Sequence, residues 1–173
     1  MENYICGGTK YFYNENRYIV LPIEIGNLPE KISVEGNELL LKSEFHVSLV
    51  CIKRLIEPYG EAAADIEQKI LELFCAFVSK NAISFLTYKD EFRLAVFEER
   101  KSIIVLCDVS NLDKFPQLLK SELGIEISIQ PTHITLYTLE PDAGIGLNSK
   151  AEMEAKSHPV AVPETLKKGL GII

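Results

Sequence analysis

The sequence predicts an α+β fold, and three observations carry that prediction. Strand-like and helix-like stretches come in blocks, ordered strands, helix, strands, helix, strand, where repeated βαβ units would alternate. One stretch has the three-and-four spacing of an amphipathic helix. Two short segments in opposite halves of the chain share a pattern: His46-Val47-Ser48-Leu49 and His133-Ile134-Thr135-Leu136. Each has a His, an aliphatic residue, a hydroxyl residue and a Leu.

The elements follow in order. Residues 1–16 are mixed and aromatic, with a turn at Gly7-Gly8. Residues 17–25 form the first clear strand, and Pro22 within it marks an edge or a bulge. Residues 31–34 and 39–42 flank Glu35-Gly36-Asn37-Glu38 as a hairpin. The first His strand covers about 44–53. Residues 58–80 make the best helix, with Ile66, Ile70, Leu73, Phe74 and Phe77 on one stripe. Three strand-like runs follow, at 82–88, 91–98 and 101–109, and predict a meander. Residues 111–123 are a second helix, with Ser110 or Asn111 to cap it and Gly124 to end it. Residues 125–129 and 132–139 form the second His strand region. Beyond 140 the character changes to a glycine-bearing turn, a short helix over 148–157, and an extended or loosely packed end from 158 to 173.

Bulk properties exclude several functions. A chain of 173 residues suits a single domain, here with residues 140–173 as a C-terminal extension. A net charge of −7 opposes coating of long nucleic acid, which needs many Lys and Arg on phosphates. It leaves room for a small nucleotide or an RNA terminus held in a local positive pocket. No apolar run reaches the roughly 20 residues that span a membrane, and the first residues lack a secretory pattern. A cytoplasmic monomer is the expectation. Cys6, Cys51, Cys75 and Cys107 form no C-x-x-C pair and are expected as buried thiols. Cys and His are not clustered at zinc-ligand spacing, so no metal and no other cofactor is expected.

The paired motif carries the chemistry. Alternation along a strand turns His46 and Ser48 to one face and Val47 and Leu49 to the other. The same holds for His133 and Thr135 against Ile134 and Leu136. An imidazole titrates near neutral pH, so one can take a proton while a second gives one. Hydroxyls beside them can donate to the non-bridging oxygens of a phosphate during displacement. Two such strands facing each other predict two lobes and acid–base chemistry on a phosphodiester.

This pair of signatures resembles the two-histidine (2H) phosphoesterase superfamily, which includes LigT-like enzymes and cyclic nucleotide phosphodiesterases. The resemblance implies a bilobal domain: two pseudo-symmetric antiparallel β-sheets around a central cleft, with flanking helices. It implies His46 and His133 as the catalytic pair, with Ser48 and Thr135 binding phosphate. The implied activity is metal-independent hydrolysis of a 2′,3′-cyclic phosphate or a 2′-5′ phosphodiester. A catalytically silent module of the same fold, binding nucleotides or RNA ends, is the alternative. Several LigT-like members carry an Arg two residues past the second motif's Leu, where this chain has Thr138. Lys42, Lys53 or Arg54 could substitute for that cation. Tyr137, Tyr59, Phe12 and Tyr13 are candidates for stacking a base, although Tyr137 is expected to turn away from His133. His158 belongs to no motif and is expected at the surface.

Overall fold

A computed structural model describes residues 3–173. The chain folds as α+β, mostly antiparallel sheet with a few helices. The first half holds β1 (Tyr4–Ile5), β2 (Tyr11–Tyr13), β3 (Tyr18–Ile23), β4 (Lys31–Val34), β5 (Asn37–Leu41) and β6 (Phe45–Cys51), then α1 (Ile52–Ile56) and α2 (Ala63–Val78). The second half holds β7 (Phe85–Phe97), β8 (Arg100–Val109), α3 (Phe115–Leu123), β9 (His133–Thr138), α4 (Lys150–Lys156), β10 (Ser157–Pro159) and α5 (Glu164–Gly169). Hydrogen bonds link the strands in the order β1-β2-β3-β6-β9-β8-β7-β10, with β5 also on β9 and β4 on β5.

The two His strands are neighbours in this sheet. They run antiparallel and meet at the register pair Val47 with Ile134. Each strand also contains a one-residue irregularity at the same motif position. On β3, Ile19 and Val20 are consecutive, yet they oppose Val50 and Ser48, which leaves Leu49 as the extra residue. On β8, Ile103 and Ile104 oppose Tyr137 and Thr135, which leaves Leu136 extra. A bulge of this kind resets side-chain alternation. The Leu of each motif is therefore a bulge residue.

The sheet has two dissimilar faces. Val47, Ile134, Ile103 and Val105 point to the main core, packed against Ile70, Phe74 and Phe77 of α2 and Phe115 and Leu119 of α3. Edge-to-face contacts of Phe74 with Tyr11 and Phe115 tie strand and helices together. The opposite face carries a smaller cluster of Ala95, Ile104, Ile145, Leu147 and Met153. The segment after β9 and α4 supply three of those five residues, so the C-terminal part roofs the second face.

Several local expectations change. The first hairpin turns on two residues, Glu35 (φ 48) and Gly36 (φ 76), so β5 begins at Asn37. Both positive angles are what a tight hairpin loop requires. The helix expected over 58–80 starts as a 3-10 turn at Glu57–Ala62, broken by Gly60, before α2 proper. The first two runs of the expected meander are one irregular strand, β7, because the register shift between Tyr88 and Phe92 absorbs the polar break. Gly124 ends α3 in the left-handed conformation, as anticipated, but no side chain caps its start. Residues 125–129 are not a strand. Nor is the tail loose: β10 pairs with β7, and Leu166 of α5 is fully buried in the main core. Pro22 falls where β2 has ended, so β3 is locally an edge there.

The cysteines divide. Cys51 and Cys107 are buried thiols, as expected. Cys6 and Cys75 are joined by a disulfide across 69 residues, which corrects the expectation for that pair. The β1–β2 hairpin lies against α2 and brings their Cα atoms to 4.9 Å, within bridging range. Sequence spacing could not reveal a contact set by packing. No helix among the described residues is long and apolar enough to cross a membrane.

Candidate functional site

All four motif side chains line one cavity of about 530 Å³ on the second face of the sheet. β6 contributes His46 and Ser48, and β9 contributes His133 and Thr135. Their placement follows from the Val47–Ile134 pair: both aliphatic side chains go to the core, which sends the residues on either side to the cavity.

The imidazoles are held differently. His133 is buried and its Nδ1–H donates to the Pro131 carbonyl at 2.8 Å. That bond fixes the ring and leaves Nε2 free. Burial lowers the His133 pKa below its ordinary value, while the carbonyl contact opposes the shift. His46 is pushed down to about 4, first by burial, then by the positive charge of Lys42 and by His133. The two rings therefore sense each other, and their buried surroundings favour neutral imidazoles near pH 7. Gln130 is buried beside them and donates from Nε2 to the Ser48 carbonyl. It lines the cavity too, a residue that its sequence context did not single out.

Cations concentrate here despite the net negative chain. Lys42, Lys53 and Arg54, the three substitutes considered for the absent Arg, all line the cavity. Lys42 has its pKa lowered by burial, partly offset by Asp142 and Glu44, and acts directly on His46. Asp142 is itself oriented by the Ser43 backbone N–H at 3.1 Å and the Ser43 hydroxyl at 2.9 Å. Arg54 is engaged with Glu152 at 2.5 Å. Arg100 and Lys156 also line the cavity. No periodicity or motif in the sequence marks them, because the β7–β8 hairpin and α4 deliver them from distant stretches.

Thr138 stands where the sequence resemblance leads to the expectation of an Arg. The bulge at Leu136 moves Tyr137 into the main core and returns Thr138 to the cavity side of the sheet. The Thr138 hydroxyl lies fully buried opposite Ser102, and neither hydroxyl has a hydrogen-bond partner among the described residues.

The aromatic candidates separate. Tyr137 shares the parity of His133, yet the bulge turns it inward; it is completely buried, and its hydroxyl donates to the Pro29 carbonyl. It is unavailable for stacking on a ligand in the cavity. Tyr59 is exposed on the 3-10 turn and does not line the cavity. Tyr13 donates its hydroxyl to Glu67. Phe12 borders an adjoining hollow of about 1030 Å³ that shares Asn14 and His46 with the first. Tyr18 and Phe97, both absent from the sequence-based candidates, are the aromatic residues that line the cavity itself. The glycine-bearing turn contributes Gly144 and Gly146 to the wall; a Cβ at Gly146 would come within 3.3 Å of the Tyr18 hydroxyl. His158 is exposed and sits 3.0 Å from Glu35. Among the described residues no group of three or more His, Cys, Asp or Glu side chains is arranged to hold a metal ion.

In comparison with known proteins, the chain matches no family model, no curated protein and no solved structure.

Proposed function

We propose that the chain is a phosphodiesterase that hydrolyses a 2′,3′-cyclic phosphate or 2′-5′ linkage at a small nucleotide or RNA end. The carrying observation is the convergence of His46, Ser48, His133 and Thr135 on one cavity. In this reading the sheet is two pseudo-symmetric halves joined at the Val47–Ile134 bridge, with the cavity as the cleft between them. The matching bulges at Leu49 and Leu136 support that relation.

The chemistry needs no covalent intermediate. One imidazole takes a proton from water, the water oxygen bonds to phosphorus, and the bond from phosphorus to the ribose oxygen breaks. The second imidazole gives its proton to that leaving oxygen, and the net change is addition of one water. Ser48 and Thr135 donate to the non-bridging oxygens. Lys42, beside His46, holds the developing charge in place of the cation absent at Thr138. A bound phosphate favours the protonated imidazole that burial disfavours, so the ligand itself charges the acid.

The test is turnover of 2′,3′-cyclic and 2′-5′ substrates in EDTA, with His46→Ala and His133→Ala alongside. General acid–base groups contribute about 10²- to 10⁴-fold each, so each variant is expected to lose at least a hundredfold. A wild type inert across the panel sinks the enzymatic reading. The lowered imidazole pKa values favour one second reading, a silent module that binds nucleotides or RNA ends. It requires nucleotide binding with no turnover.

A further inference from the structure

Beyond the four motif residues, the cavity holds cations that hydrolysis at one phosphorus does not use. Five Lys or Arg side chains line it, against two carboxylates, Glu57 and Asp142. Arg54 is engaged with Glu152, and Lys42 faces Asp142 and Glu44. Arg100 and Lys156 have no carboxylate within ion-pair distance among the described residues. Both instead rest on one ring: the Arg100 guanidinium lies 5.4 Å and the Lys156 ammonium 4.5 Å from the Phe97 centroid.

The local backbone fixes this grouping. Phe97 and Arg100 are register partners at the end of the β7–β8 hairpin. Alternation puts them on the face of Ala95 and Ile104, the cavity side of the sheet. The two-residue loop holds Glu98 at φ 54, a left-handed conformation that non-glycine residues adopt at a cost. Arg100 spends one N–H on the Gly144 carbonyl at 3.3 Å, which leaves most of its five donors free. Lys156 comes from the end of α4, whose C-terminal dipole favours a cation. The dipole accounts for a Lys at that helix end. Glu152 on the same helix feels the Lys156 charge but makes its ion pair with Arg54, and the dipole does not account for a second cation drawn to the same ring without a salt bridge. Two like charges gathered at one ring repel, and an anion bound beside them relieves the repulsion.

We infer that Arg100 and Lys156, seated on Phe97, form a second anion subsite in the cavity, so that the preferred ligand carries a second phosphate besides the one at the imidazoles. This rests on the reading that His46 and His133 grip the first phosphate. The shared chemistry is a nucleotide bearing two phosphates. It arises either as a nucleoside bisphosphate or as an RNA end with its preceding phosphodiester. A cyclic mononucleotide with one phosphate fills half the site.

Calorimetric titration of the full chain tests this without turnover. The probes are adenosine 3′-monophosphate, adenosine 3′,5′-bisphosphate and a dinucleotide 3′-phosphate. At least one two-phosphate probe is expected to bind about tenfold or more tighter than the monophosphate, which corresponds to about 1.4 kcal/mol. Whichever of the two gains more identifies the source of the second phosphate. In Arg100→Ala/Lys156→Ala the ratio collapses towards one, while the charge-preserving pair Arg100→Lys/Lys156→Arg retains most of it. Lys69→Ala, on exposed α2 surface, leaves it intact. A wild-type ratio near one, an undiminished ratio in the double alanine variant, or no binding of any probe overturns the subsite. Turnover of cyclic substrates with a ratio near one overturns the subsite alone. A retained ratio with no turnover overturns the enzymatic reading alone.

Discussion

His46 couples stability to pH in a direction its surroundings dictate. Its folded pKa of about 4 lies below the ordinary 6.5, chiefly through burial. Between those values the unfolded chain binds a proton that the folded chain refuses, so stability falls as pH drops from about 6.5 to 4. Above 6.5 this group contributes no pH dependence. The full loss is about 3 kcal/mol for one imidazole. Urea unfolding at pH 7 and pH 4.5 is expected to show that slope in the wild type and a shallower one in His46→Asn. NMR titration of the His46 ring reads the same effect directly, and Lys42→Met is expected to raise its midpoint by removing a neighbouring cation. A second prediction concerns the orphan hydroxyls of Ser102 and Thr138. A buried hydroxyl without a partner costs about 1–3 kcal/mol. Ser102→Ala/Thr138→Val is therefore expected to raise the unfolding midpoint. The four motif residues were legible in the sequence because two copies of one pattern share a strand periodicity. The cations Arg100 and Lys156 were not, since only tertiary packing brings the hairpin end and α4 to the same wall.

At the scale of elements, the decisive feature is a bulge in each His strand. Period-two alternation predicted the faces of His46, Ser48, His133 and Thr135 correctly. It does not continue past Leu49 and Leu136, because the extra residue resets parity. That is why Tyr137 turns away from His133 into the core, as expected, although strict alternation gives the two one parity, and why Thr138 is not on the core side. The tail shows the opposite failure. The end expected to be extended or loosely packed instead has Pro159 closing a paired strand and Pro163 immediately preceding α5, where the chain turns into the helix. α5 buries Leu166 completely and brings Gly169 against the turn before β4. Leu166→Ala is expected to cost about 2–5 kcal/mol. A Cβ at Gly169 would fall 2.6 Å from the Leu28 side chain and 3.1 Å from the Asn27 carbonyl oxygen. Gly169→Ala therefore overpacks the contact, at about 1–3 kcal/mol. Thermal unfolding of both variants measures whether the tail is part of the cooperative unit; unchanged midpoints would return it to a loose arm.

For the whole molecule, the Cys6–Cys75 cross-link is the constraint with the longest reach. It closes a loop with a sequence separation of 69 that includes β2 to β6, α1 and most of α2. Restricting that loop in the unfolded chain is worth about 4 kcal/mol in the chain-entropy model. Such bonds persist in oxidising surroundings and are rare in a reducing cytosol, so the cross-link pulls against a cytoplasmic location. Its partners also differ from the remaining thiols. Cys51 and Cys107 are buried, and burial pushes the Cys107 thiol up to about 12, far from the thiolate that reagents attack. The native protein is thus expected to show almost no fast-reacting thiol, two thiols after denaturation without reductant, and four after denaturation with it. Cys6→Ser/Cys75→Ser is expected to lower unfolding free energy by about 4 kcal/mol at most while leaving the cavity on the opposite face assembled, since none of its walls includes either cysteine. Thiol counting with and without reductant, beside urea unfolding of the double variant, measures both. Four thiols titrating without reductant would remove the cross-link, and with it the objection to a reducing compartment.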